Sequence, residues 1–180
     1  MHRQPFCQLL DRYQIIFAED REILERFHAF TSQYSDCFER SQSFGHITGS
    51  AWIIDHSRTH GLFTHHKKLG RWLQLGGHAD GDSDVHAVAT REAHEESGLK
   101  SILPISNTIF DLDVHSVGDH LHFDVRFLFE ANMQDPLIVS HESNHLAWIA
   151  FKDLPKHTNE PSILRMLSKT TISKNHANKN

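Results

Sequence analysis

Apolar positions recur at helical spacing near the start of the chain, first as Phe6, Leu9, Leu10 and Tyr13 and then as Ile23, Leu24, Phe27 and Phe30. Each set shares one face of a 3.6-residue period and predicts an amphipathic helix, the second with Asp20 as its cap. From Gly45 the text changes. The runs GHITGSAWIID and THGLFTHH read as strands joined by Asp55 to Arg58, and Arg71 to Leu75 alternates as a further short strand. The glycines and aspartates from Gly76 to Asp82 punctuate that strand, and helix formers follow, with Asp82 or Ser83 as cap and Gly98 as stop. Later come a strand near Leu137–Ser140 and a last strand through Trp148, Ile149 and Phe151, with Trp148 read as core. A final helix opens at Pro161 and runs through Ile163, Leu164 and Leu167, since proline suits a first turn.

Between these lies a hairpin with a period of two. Asp111, Asp113 and His115 alternate with Leu112 and Val114, and His120, His122, Asp124 and Arg126 alternate with Leu121, Phe123, Val125 and Phe127. A turn over Ser116–Asp119 pairs His115 with His120, Asp113 with His122 and Asp111 with Asp124. One face is then apolar and fixes the register. The other collects aspartates and histidines, which are poor strand formers beside the threonine and lysine usual on a solvated face. His120, His122 and Asp124 are candidates for an accessory metal or substrate contact, against the plainer reading of a solvated surface.

The segment Gly76–Leu99, GGHADGDSDVHAVATREAHEESGL, carries the chemistry. At roughly 100° per residue Glu92, Glu95 and Glu96 share an arc of about 100° with Val85, Val88 and Ala89 of the preceding turns. A stripe that begins apolar therefore ends in carboxylates. Like charges facing one way raise each other's pKa unless a cation joins them. Oxygen ligands at i, i+3 and i+4 suit Mg²⁺ or Mn²⁺. The other reading, an acidic helix face in water, accounts for most such charge runs but not for the rest of this segment.

Written as G-x5-E-x7-R-E-U-x-E-E-x-G-U, with U a bulky apolar residue, the segment resembles the box of the Nudix hydrolases. Gly77, Arg91, Glu92, Glu95, Glu96, Gly98 and Leu99 fall in place; Ser83 stands at the first glutamate and the small Ala93 at the first apolar slot. The resemblance implies an α/β fold, a Nudix-type α/β/α sandwich with a mixed sheet, here with an N-terminal helical extension. It also implies roles: Glu92, Glu95, Glu96 and the carbonyl of Gly76 as ligands of Mg²⁺ or Mn²⁺, Arg91 as an orienting residue, and Glu92 or Glu142 as general base. The run HESNHLAWIAFKDLP from His141 resembles the late acidic loop, Trp-bearing strand and short helix of many Nudix domains. His65, His66, Lys68 and Arg71 make a compact basic patch just before the box, and a phosphate contact and a surface loop are both open readings of it.

Composition narrows the classes. At 180 residues, 38% hydrophobic and 23% charged, the chain reads as a globular domain with one core. A net charge of -5 opposes a grip on nucleic acid polymer, which needs a basic face. No apolar run is long enough to cross a membrane, no secretory layout opens the chain, and the expectation is a cytoplasmic protein. The two cysteines, Cys7 and Cys37, lack metal-type spacing and read as idle thiols. The expected domains are an extension over 1–44, packed on the rest or serving a homodimer, a Nudix domain over 45–170, and a polar disordered tail over 171–180. The expected function is divalent-metal-dependent hydrolysis of a phosphoanhydride in a small diphosphate such as a nucleoside diphosphate derivative. Two further readings stay open: a Nudix-like nucleotide-binding or regulatory module that does not cleave, and a metal-binding protein built on the 17 histidines.

Overall fold

A computed structural model describes residues 2–177, and their side chains except those of Ala18 and of 172–177. The chain groups into two compact units, one of Met1–Ala51, Gly76–Glu92 and Ser106–Phe127, the other of Trp52–Leu75, Ala93–Ile105 and Leu128–Asn180. Three elements run from one into the other: strand β1 (Gly45–Asp55), helix α3 (Val85–Ser97) and strand β7 (His120–Ala131).

The first unit opens with the two expected helices, α1 (Gln4–Ile16) and α2 (Arg21–Gln33). Phe6, Leu10 and Tyr13 of α1 and Leu24, Phe27 and Phe30 of α2 are buried, as the helical spacing requires. Asp20 stands at the α2 N-cap position but does not cap; its carboxylate accepts the Tyr13 hydroxyl instead. Arg3 donates to the carbonyls of Thr31 and Tyr34, covering acceptors that the end of α2 leaves open. The extension is not a separate layer, because Phe30 stacks on Phe123 of β7 with ring centroids 3.9 Å apart and Phe27 meets the same ring edge-on at 5.3 Å.

In that unit β1 pairs with β4 (Leu75–His78), and β7 pairs antiparallel with β6 (Asp111–Val117). The hairpin register differs from the expected one. Val117 faces His120, His115 faces His122, Asp113 faces Asp124 and Asp111 faces Arg126, a slip of two residues. The turn is only Gly118–Asp119, with Gly118 at φ 62°, and two-residue turns with positive φ match the twist of paired strands. A slip of two leaves each side chain on its original face.

In the second unit the end of β1 pairs with β2 (His60–His66) through Ile53↔Leu62 and Ile54↔Gly61. Strand β3 (Arg71–Leu73) continues along the same edge of β2, and β8 (Ser143–Ala150) runs along the other, from His60↔Ala150 to His66↔Ser143. The Arg71–Leu75 segment is not one strand; it breaks at Gln74 into β3 and β4. Strand β5 (Ile102–Pro104), absent from the sequence reading, pairs with the end of β7. The strand expected at Leu137–Ser140 does not form. Ile138 packs over the bare Cα of Gly98, and its N–H caps the Ser97 carbonyl at 2.8 Å, so that backbone serves the end of α3 rather than a sheet. Helix α4 (Leu154–His157) and helix α5 (Pro161–Ala177) follow, α5 starting at Pro161 as expected. The expected tail is drawn as a continuation of α5 to Ala177, and residues 178–180 lie outside the described residues. In this core the Trp52 indole donates to the Thr170 hydroxyl of α5 at 2.9 Å. Among the described residues no helix is long and apolar enough to cross a membrane.

Candidate functional site

The loop before α3 is built on close approach. A Cβ at Gly49 would stand 2.8 Å from the Val85 carbonyl oxygen, and one at Gly76 would stand 2.7 Å from Ser50 Cα, so bare glycines let the helix and β4 lie against β1. Asp84 caps α3 by accepting the Ala87 N–H at 3.0 Å, while Asp82 accepts the Asp84 N–H at 2.9 Å in a turn just ahead. The cap therefore lies beyond Asp82 and Ser83, the residues expected to provide it, because the helix starts later. Gly98 closes the helix at φ 69° and donates to the His94 carbonyl at 2.8 Å.

Along α3, Val85, Val88, Ala89 and Ala93 are fully buried, Glu96 is 7% exposed, Glu92 is half-buried and Glu95 is exposed. The Glu92 carboxylate lies against the bare Cα of Gly77, where any Cβ would collide with it. Arg91 reaches Glu92 at 3.0 Å and the His78 carbonyl at 3.2 Å, bracing the loop and the carboxylate together. Glu142 lies in the loop before β8 with a side chain 58% exposed, 3.6 Å from His141, and its carbonyl accepts the Lys67 N–H.

The basic patch is partly neutralised. Arg71 pairs with Glu160 at 2.6 Å, the His65 ring meets Trp72 edge-on at 5.2 Å, and His66 accepts the Leu69 N–H at 3.2 Å in its own turn, while Lys68 is exposed. Burial lowers the His66 pKa. His65, Arg71, Trp72, His157, Thr158 and Glu160 line a recess of about 610 Å³.

The polar face of the β6–β7 hairpin is buried at its Arg126 end and half-buried toward the turn. Arg126, 2% exposed, holds Asp124 at 2.8 Å, Asp111 at 3.2 Å and Asp113 at 3.3 Å. Asp124 also accepts from Thr48 at 2.9 Å and Ser50 at 2.7 Å. Both its oxygens are taken, and its place in this network is a structural one. Burial works against the Arg126 charge, but the three aspartates outweigh it and raise the pKa.

His120 and His122 lie elsewhere on that face, with Nε2 atoms 3.2 Å apart. They meet two residues that the sequence reading passed over, His46 of β1 and His78 of β4. Among the described residues one group of three potential metal ligands has its donor atoms within 4.8 Å of one another, and it is His46, His78 and His122; the glutamates of α3 form no such group. The available signal was the alternation His46, Thr48, Ser50 inside a wholly buried strand, three polar side chains on one face with nothing in the sequence to say what they meet. Away from this face, Cys37 is buried and its thiol is pushed up to about 11 by burial, which leaves it inert.

No family model matches the chain by sequence, and no curated protein does. Solved structures do match by shape. A C. elegans Ap4A hydrolase in a binary complex superposes with a TM-score of 0.65 at 17% identity over 72% of this chain and 98% of that one. A Nudix-family hydrolase from Clostridium perfringens gives 0.59 at 22% identity over 71% and 97%. The Nudix domain of Shewanella oneidensis NrtR, crystallised with ADP ribose, gives 0.54 at 14% identity over 81% and 97%. At these identities the likeness establishes the α/β fold of the Nudix proteins.

Proposed function

We propose that this Nudix-fold chain is a pyrophosphohydrolase that cleaves a phosphoanhydride bond in a small diphosphate with Mg²⁺ or Mn²⁺. The observation that carries the reading is helix α3, which bears Arg91, Glu92, Glu95 and Glu96 in the Nudix spacing with Glu96 shielded from water and Glu92 packed on Gly77. The donor set fits the metal: carboxylates and the Gly76 carbonyl are hard oxygens, and the glycine cradle leaves a carboxylate room at the loop. Glu92, Glu95, Glu96 and the Gly76 carbonyl would hold the ion. When bound it neutralises phosphoryl oxygens and acidifies a water.

The chain's own residues do the rest. Arg91 fixes the orientation of Glu92 and ties it to the His78 carbonyl, so the ligand is positioned before substrate arrives. Glu142, exposed on its loop, is the general base in this reading and takes the proton of the attacking water. In this reading Arg71 and His65, which line a recess together with Glu160, are substrate contacts. The likeness to an Ap4A hydrolase and to an ADP-ribose-binding domain supports a nucleotide-containing diphosphate as substrate class.

The test is a panel of nucleoside triphosphates, dinucleoside polyphosphates and ADP-ribose with Mg²⁺ or Mn²⁺, following release of monophosphate. Glu96→Gln is expected to lose about 100-fold or more in turnover while keeping the wild-type circular dichroism. Full turnover in that variant would remove the α3 metal assignment. Binding of ADP-ribose with no turnover of any compound would turn the reading to a nucleotide-binding module.

A further inference from the structure

The hydrolysis proposed above makes no use of the clustered histidine rings of the first unit. We propose that His46, His78 and His122 form a second metal site, for one nitrogen-preferring transition-metal ion of the Zn²⁺ class, separate from the hard-oxygen set of α3. The three rings make a nearly equilateral triangle, with centroids 4.9 Å apart for His46 and His78, 4.8 Å for His46 and His122 and 5.0 Å for His78 and His122. One nitrogen of each already lies within 4.8 Å of the others. Tetrahedral Zn²⁺ with bonds of about 2.0–2.1 Å sets its nitrogens about 3.3 Å apart, so small rotations of the rings complete the shell.

A second observation points to a ligand. His46 is 2% exposed, and neither of its ring nitrogens makes a hydrogen bond of normal geometry. An imidazole buried with no well-formed hydrogen bond is costly, and a metal lowers the cost by taking a lone pair. The Gln42 backbone carbonyl acts weakly on the same ring, in the sense of the carbonyls that orient ligating histidines from behind.

The chemistry of the group selects the ion. An imidazole with its ordinary pKa of about 6.5 is mostly neutral near pH 7 and has a lone pair to give. The Asp124 carboxylate, which acts on His122, is held by Arg126, Thr48 and Ser50. A donor set of neutral nitrogens disfavours Mg²⁺ and Ca²⁺ and suits Zn²⁺, Co²⁺ or Ni²⁺. Three histidines leave a fourth position open, the arrangement of zinc sites that keep a water or a substrate atom. His120 stands beside the triangle, its ring 4.9 Å from that of His46 and 5.2 Å from that of His122. The His78 carbonyl that Arg91 grips ties the triangle to the loop of α3.

The test reads the metal directly. Full-length protein stripped with chelator is titrated with Zn²⁺ against a chromophoric competitor, and with Co²⁺ for the visible absorption of a tetrahedral nitrogen site. One equivalent is expected to bind, with His46→Gln, His78→Asn and His122→Gln each weakening it about 100-fold or more and Glu96→Gln leaving it unchanged. His78 is only half-buried, so its variant carries the test if His46→Gln fails to fold. Uptake that survives all three histidine variants, or uptake lost in Glu96→Gln and kept in them, overturns the site. Because turnover is not measured, loss of the proposed hydrolase activity would leave this result standing.

Discussion

Arg126 and His122 project from the same face of β7, and their surroundings are built on opposite lines. Around Arg126 each guanidinium nitrogen meets an aspartate, and Asp124 is closed off further by Thr48 and Ser50. Around His122 the donors are all imidazoles, none charged near neutrality at His46 or His122, and the nitrogens of His46 make no hydrogen bond of normal geometry among the described residues. The first cluster is finished when the chain folds. The second joins β1, β4 and β7 where the first joins β1, β6 and β7, and it leaves valences for something that is not part of the chain. A buried polar network with every member paired adds rigidity, whereas one with open members costs stability and is kept where a ligand is to come.

The largest effect should come from breaking the finished cluster. Arg126→Met keeps the apolar stem but strands Asp111 and Asp124, which are 0% and 2% exposed, without their cation. The expected loss is about 3–5 kcal/mol of unfolding free energy, since removing one partner of a buried charge cluster leaves the others uncompensated. Urea titration measures it. A loss below about 1 kcal/mol would mean that the network is no more than a surface set of pairs.

How much of this contrast the sequence carries depends on the distance over which each feature is determined. The two N-terminal helices, the box helix with its Gly98 stop, and the alternation of the β6–β7 hairpin are local patterns, and they appear in the structure with boundaries shifted by a few residues. The hairpin register was missed by two because its turn holds only Gly118–Asp119, but a slip of two keeps every side chain on its face. Ile149, buried in β8, and the start of α5 at Pro161 were likewise legible, whereas Trp148, read as core, is half-buried and Phe151 lies past the end of β8. What was not legible is pairing between segments far apart in the chain. Nothing in GHITGS says that His46 meets His122, or that Thr48 and Ser50 meet Asp124, since those contacts span 74 residues or more. The spacing on α3 places the glutamates, but not the half-buried, buried and exposed settings that Glu92, Glu96 and Glu95 take.

A carboxylate outside both clusters sharpens the comparison by removing charge pairing from it. Asp55, 5% exposed at the end of β1, accepts the N–H groups of Thr59 and His60 at 2.7 Å each, that of Ser57 at 3.1 Å and the Ser57 hydroxyl. Burial alone would raise its pKa, but these donors outweigh it and hold it below the usual 3.8. A carboxyl with a depressed folded pKa stabilises the fold fully above its unfolded value and loses that contribution as pH falls through the folded one. Asp55→Ala should therefore cost about 1–3 kcal/mol at neutral pH, and its deficit against wild type should shrink as the pH drops below about 4. Urea titrations of both proteins across that range read the gap. A deficit that stays constant to low pH would assign the loss to packing rather than to hydrogen bonds from neutral donors.

The smallest effect has the opposite sign, and it separates the two clusters most sharply. His46→Leu removes two buried nitrogens that make no hydrogen bond of normal geometry and puts an apolar group of similar size in their place. In chelator this variant should be as stable as wild type or more stable by up to about 1 kcal/mol, because the desolvation cost of the imidazole disappears and no well-formed hydrogen bond is lost with it. With Zn²⁺ added, wild type should gain stability by mass action at a folded-state site and overtake the variant, which lacks one ligand. Paired urea titrations with and without the metal give both differences in one experiment. A clear destabilisation of His46→Leu in chelator would make the histidine cluster a finished one, like that of Arg126, and the contrast along β7 would vanish.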